Sequence, residues 1–194
     1  MDDVSVIQLV LALCVGVALS AACGFRVFAP LLVVSLAVRF GGLPVGEDFV
    51  WLGTSLTVVV LLTATLVEIA AYYIPWVDNL LDTVNTPLAV VAGTVVTCGM
   101  LPELHPCLKW GIAVVLGGGS AGVVQTATAI VRGGSTATTG GLGNGILSTI
   151  ENVVAVVVSV LAILVPILAI VIAFIVVFVA IRLTVGLVRR LRGR

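Results

Sequence analysis

Ile74-Pro75-Trp76-Val77-Asp78-Asn79-Leu80-Leu81-Asp82-Thr83-Val84-Asn85-Thr86-Pro87 is an island of carboxylates and amides in a chain that otherwise reads as lipid-like. A proline at each end predicts a short helix of its own, set between two breaks. Asp78, Asp82 and Asn85 recur at helical spacing and fall in one row, with Asn79, Thr83 and Thr86 in a second row beside it. Val77, Leu80, Leu81 and Val84 take the opposite side, so the segment is amphipathic. Two readings follow. In one, the segment rests on the membrane surface with Asp78 as its N-cap. In the other, its carboxylates line a wet cavity inside a membrane protein.

The rest of the chain decides the class. Of 194 residues, 61% are hydrophobic and 9% charged, with a mean hydropathy of +1.34. A soluble domain carries roughly 25% charged residues, so the composition is that of an integral membrane protein. Lys plus Arg and Asp plus Glu both number 9, which gives no basic excess for nucleic acid. The length suits one helical unit, 1–194. Four cysteines form no CxxC pair, and three lie in or beside apolar stretches; they read as small buried thiols rather than a disulfide framework. Ser20-Ala21-Ala22-Cys23 resembles a lipoprotein cleavage site, but Asp2 and Asp3 stand where an export signal needs Lys or Arg. The segment therefore reads as a retained helix.

The apolar runs 4–24, 25–40, 50–74, 88–101, 110–132 and 148–187 predict an all-α bundle of about six spans. The last run, at about 60 Å if straight, is twice too long for one upright span and calls for a kink near Pro166. Ser148-Thr149-Ile150-Glu151 matches a capping box and would start that helix. Gly133 to Gly145, with six glycines and no charge, reads as a loop. It is no phosphate-binding P-loop, because no Gly-Lys-Ser/Thr follows.

Arg189, Arg190, Arg192 and Arg194 place the C-terminus in the cytoplasm. Six spans then place the N-terminus there too, with Arg39 and Lys109 inside and Arg26 and Arg132 outside. Trp51, Trp76, Trp110, Tyr72 and Tyr73 fall at span ends, as an aromatic belt requires. The second and fourth spans offer only about 21–24 Å of helix against ~30 Å of hydrocarbon. The polar segments feeding them should dip below the surface beside water; a re-entrant hairpin is the other solution. Loose echoes of Ser20–Gly24 and Val38–Gly41 in Ser120–Gly122 and Val131–Gly134 suggest two inverted three-helix halves, 1–104 and 105–194.

Ser20-Ala-Ala-Cys-Gly-Phe-Arg-Val-Phe-Ala-Pro30, Ile74 to Pro87, and Ser135-Thr-Ala-Thr-Thr-Gly-Gly-Leu-Gly-Asn144 followed by Glu151 resemble the bacterial integral-membrane family DUF4126, a domain of unknown function. The likeness covers nearly the whole chain. It implies a helical membrane protein and a bacterial inner membrane, and carries no activity with it.

Seven residues are candidates for binding a solute or ion: Arg26, Glu68, Asp78, Asp82, Asn85, Asn144 and Glu151. Arg26 is either a snorkelling interface arginine or a fixed cation paired with Asp78, Asp82 or Glu68. Glu68 lies about 9 Å inside its span, and a carboxylate there is a functional candidate by default; the other reading makes it a structural partner of Arg26. Asp82 is preferred to Asp78, which has the N-cap reading available. Glu151 is explained by the capping box, and Asn144 belongs to a loop whose backbone could hold an ion or an anionic head group. Gly117, Gly118, Gly119 and Gly122 read as sites of close helix approach. Glu103, His105 and Cys107 put metal-capable side chains within one turn, but with one histidine and no second cluster a metal is not expected, and no Ser/His/Asp set is available away from this turn.

The expected function is therefore a small transporter or channel for an unidentified solute or ion. It would have no cofactor and no enzymatic activity, lipid around it, and self-association left open. A non-transporting membrane scaffold or assembly factor, and a lipid head-group binder, are the alternatives.

Overall fold

The computed structural model describes residues 6–74 and 77–192, with the side chains at 180, 183–185 and 187–192 outside the description. The described residues form helices without a strand. They are α1 (Val6–Cys23), α2 (Phe28–Phe40), a 3₁₀ turn (Glu47–Gly53), α3 (Ser55–Tyr72), α4 (Val77–Met100), α5 (Pro106–Ile112), a π segment (Ala113–Gly118), α6 (Gly119–Thr139), α7 (Asn144–Leu164) and α8 (Pro166–Arg192). Five helical stretches are long and apolar enough to cross a bilayer: Val6–Cys23, Ser55–Tyr72, Val77–Met100, Pro106–Thr139 and Asn144–Leu164. Two shorter apolar helices, Phe28–Phe40 and Pro166–Val179, accompany them. The chain is a multi-pass helical membrane protein.

Three boundaries differ from expectation, for one reason. Pro87 does not end a short helix: α4 runs through it from Val77 to Met100. Gly133 and Gly134 do not open a loop: α6 continues to Thr139, and the turn that follows spans only 140–143. Ser148 does not start a helix: α7 begins at Asn144, so the capping box is void and Glu151 sits two turns inside. Where water is scarce, every backbone N–H and C=O must be paired within the chain, and helix is the cheapest way to do so. Threonines reinforce these stretches. Thr86, Thr136, Thr138 and Thr139 each donate a side-chain bond to the carbonyl four residues back. The long C-terminal run does break beside Pro166, at Val165 with φ −139° and ψ 73°.

The centre of the bundle is a seam of small residues, with α4 packed against α1, the π segment and α6. Ser20 donates to the Gly93 carbonyl at 2.6 Å and lies 2.7 Å from the Thr97 hydroxyl. A Cβ on Gly24 would stand 2.6 Å from the Ala121 carbonyl oxygen. Only glycine admits that approach.

From Asp78 to Met100, α4 covers about 33 Å, the thickness of the hydrocarbon layer. Polar groups collect at both ends. Near Met100, buried Lys109 pairs with Glu103 at 3.3 Å and stands 5.9 Å from the Phe49 ring centre. Near Asp78 lies the larger cluster. Cys23 and Cys98 are buried free thiols and Cys14 is half-buried, but Cys107 is exposed, contrary to the buried-thiol expectation. Trp76 of the expected belt and Arg194 of the basic tail lie outside the described residues, as do the side chains of Arg189, Arg190 and Arg192.

Candidate functional site

The row on α4 points inward. Asp78, Asp82 and Asn85 are buried, while Leu80 and Val84 on the other side are 66% and 49% exposed. Such a helix, with its polar stripe in and its apolar stripe out, suits a lipid surround. The membrane-surface reading of this segment is thereby replaced.

Two arginines meet this row. Arg132 of α6 donates through Nη1 to Asp82 Oδ1 at 2.5 Å and through Nη2 to Glu151 Oε2. Arg26, in the turn between α1 and α2, pairs through Nη2 with the same Glu151 oxygen at 3.1 Å and donates to the Ser148 carbonyl at 3.2 Å. Both guanidinium carbons lie against the Tyr72 ring, at 3.7 and 4.3 Å from its centre. The Tyr72 hydroxyl donates to Asp82 Oδ1 at 3.1 Å and accepts from Asn85 Nδ2 at 2.9 Å. Arg26 and Arg132 are each 1% exposed. This rules out the snorkelling reading of Arg26, since neither charge reaches the surface.

Glu68 does not pair with Arg26. Its Oε1 accepts from the Val27 amide at 3.0 Å and its Oε2 from the Phe28 amide at 3.1 Å. Asn85 Nδ2 adds a bond to Oε1 at 3.1 Å. Val27, the residue before α2, has no side-chain cap of its own, so Glu68 supplies one from α3. A carboxylate at a helix N-terminus satisfies orphan donors and faces the positive end of the dipole. Asn85 also insulates it. The amide nitrogen donates to Glu68 and to Tyr72, so no proton passes from Asp82 through Asn85 to Glu68. Glu68→Gln is therefore expected to cost about 1 kcal/mol of stability, the scale of a lost cap. It should leave any proton-dependent activity in place. Unfolding titration and activity measured on the same preparation check both halves.

Asp78 is not an N-cap either. It sits in the first turn of α4, where Oδ1 accepts from the Asn79 amide at 2.8 Å and Oδ2 from Asn144 Nδ2. Asn144 heads α7 and also donates to the Thr136 hydroxyl at 2.8 Å. That hydroxyl spends its own proton on the Arg132 carbonyl at 3.0 Å. The amide orientation of Asn144 follows from this chain of donors, and its buried Oδ1 has no partner among the described residues.

All seven candidate residues thus converge, but as two kinds of group. Arg26, Arg132, Asp82 and Glu151 are a quartet with equal numbers of each charge. Glu68 and Asp78 are instead held by backbone and amide donors at helix N-termini. Arg132 and Tyr72 are additions that the sequence reading misses, having counted one as an outward basic residue and the other as part of the belt. The available signal was the charge-free run from Gly133 to Gly145: if it is helical, Arg132 lies inside a membrane helix rather than at its end. Among the described residues, no three His, Cys, Asp or Glu side chains converge as a metal set.

Fold and site together define a multi-pass helical membrane protein closed around a buried ionic cluster. The chain belongs to the family DUF4126, "Domain of unknown function", whose profile matches residues 13–185. No curated protein and no solved structure matches it.

Proposed function

We propose that the protein is a small transporter or channel whose binding site is the quartet Arg26, Arg132, Asp82 and Glu151. One observation carries this reading. Among the described residues, Arg26 Nε and Nη1 and Arg132 Nε are buried and lack hydrogen-bond partners, although Asp82 Oδ1 and Glu151 Oε2 beside them each accept two polar contacts. A buried donor left unmade costs about 1–3 kcal/mol, and such groups call for an explanation in water or a ligand. The spare capacity is for acceptor atoms, which favours an anion or a carbonyl-bearing solute.

Glu151 supplies a coupling device. Both guanidinium groups reach the same oxygen, so one proton on Glu151 weakens a contact of each arginine at once, while Arg132 keeps Asp82 and Arg26 keeps the Ser148 carbonyl. Proton uptake and anion binding then favour one another, and a proton gradient can drive accumulation. The basic C-terminal tail supports a cytoplasmic C-terminus in a bacterial inner membrane.

Proteoliposomes test this with a panel of small organic and inorganic monoanions under an imposed pH gradient. Uptake by the unaltered protein, abolished in Arg26→Gln and stripped of its pH dependence in Glu151→Gln, is the expected result. Equal flux in all three proteins overturns the assignment. The charge matching itself favours a second reading, a scaffold in which the ion pairs only fix helix packing. Folded protein with no flux for any member of the panel moves the assignment there.

A further inference from the structure

We infer that the quartet takes its ligand from within the bilayer, through a cleft that ends at Glu151, and that the ligand class is a single-chain acyl carboxylate. This deepens the transport reading and rests on it. The cleft, of about 300 Å³, lies between α6, α7 and α8 and is walled by Phe25, Val131, Leu147, Ile175 and Val179, among others. Its rim residues Val131, Ile175 and Val179 are 39%, 58% and 46% exposed, and they belong to the apolar outer surface that faces acyl chains. Among the described residues, Glu151 is the one charged residue of the lining.

Phe25 and Val131 are the chain neighbours of Arg26 and Arg132. A head group in the cleft therefore meets Glu151, whose Oε2 touches both guanidinium groups, and these carry three N–H donors without a partner among the described residues. A ligand carboxylate reproduces the acceptor geometry that Glu151 now offers them. An undissociated acid arriving from the bilayer gives its proton to Glu151, and its own carboxylate then takes over the guanidinium contacts. One O–H bond breaks on the ligand and one forms on Glu151. With the ligand carboxylate standing in for the neutralised Glu151, the cluster still holds two cations and two anions. A phosphate monoester would bring a second negative charge with nothing to balance it. Volume is compatible with this, because about 300 Å³ is at the lower end of ligand cavities and accommodates one acyl chain.

Equilibrium binding of radiolabelled dodecanoate to the full-length protein in zwitterionic nanodiscs tests the inference, with dodecanol, dodecylammonium and dodecyl phosphate as competitors. Saturable binding is expected, weakened at least about tenfold by the cleft-filling Val131→Trp. Dodecanol and the other competitors should displace the label no better than about a tenth as well as unlabelled dodecanoate. Glu151→Gln should bind without the pH dependence of the unaltered protein. Val131→Trp lies on the rim and keeps the inference testable if Glu151→Gln fails to fold. Dodecanol competing as well as dodecanoate, dodecyl phosphate competing better, or Val131→Trp binding unchanged would each overturn it. If dodecanoate does not bind yet water-soluble monoanions cross in an Arg26-dependent way, the bilayer route fails and the transport reading stands. Flux absent for dodecanoate and for the monoanions alike removes the transport reading itself.

Discussion

Arg132→Leu is expected to destabilise the protein by about 3–5 kcal/mol, the cost of stranding buried charge when one partner of an ion pair is removed. Arg132 alone joins the two carboxylates: Nη1 holds Asp82 and Nη2 holds Glu151. With leucine in its place, Asp82 keeps the Tyr72 hydroxyl and Glu151 keeps Arg26, and the quartet is left one cation short. Arg132→Lys should recover only part of the loss, since one ammonium cannot present the planar fork that reaches two carboxylates on different helices. Adding Asp82→Asn to Arg132→Leu should restore charge balance and regain a measurable share of stability. Denaturant titration in mixed micelles reads all three. A loss below about 1 kcal/mol, the scale of a solvated surface pair, would mean that water already reaches the cluster and screens it.

What could be read in advance divides along a physical line. The inward row on α4 was legible, because helical spacing places Asp78, Asp82 and Asn85 together whatever surrounds them. Glu68 stood out because an apolar span has no other use for a carboxylate. The cues that misled were rules for chains in water. Proline and paired glycines mark helix ends there, because water can satisfy the freed backbone groups. Inside a bilayer it cannot, so α4 passes through Pro87 and α6 through Gly133 and Gly134. That single error concealed one site residue and gave another, Glu151, a capping explanation. It turned Arg132 from an interior cation into a span terminus, and it made Ser148 to Glu151 look like a cap. Tyr72 and Tyr73 show a separate limit. Adjacent helical residues face directions about 100° apart, so one enters the cluster while the other, 49% exposed, meets Thr149 at 2.8 Å. A belt rule cannot tell them apart.

Gly117→Ala tests whether this cluster stands on a rigid base. An added Cβ would collide with the Thr97 hydroxyl and lie 2.5 Å from the Gly93 carbonyl oxygen. Thr97 is already fixed by Ser20, and a backbone oxygen in the middle of α4 has no rotamer to change. The π segment and α4 must therefore separate, at an expected cost of about 1–3 kcal/mol for overpacking. Gly119, two residues on, is the internal control, because a Cβ there meets nothing within 4 Å. Gly119→Ala removes only backbone freedom and should stabilise the helix by about 0.5–1 kcal/mol. The two substitutions add the same methyl group to one continuous helical stretch, so their opposite signs isolate packing from propensity. Gly93 is also the carbonyl that Ser20 binds, and α4 carries Asp82 eleven residues earlier. A displaced seam therefore moves the carboxylate that holds Arg132, and Gly117→Ala should impair quartet-dependent flux more than its stability loss accounts for. If both alanines prove equally harmless in unfolding titrations, α4 and the π segment are not held together as tightly as their glycines require, and the ionic cluster has no fixed frame.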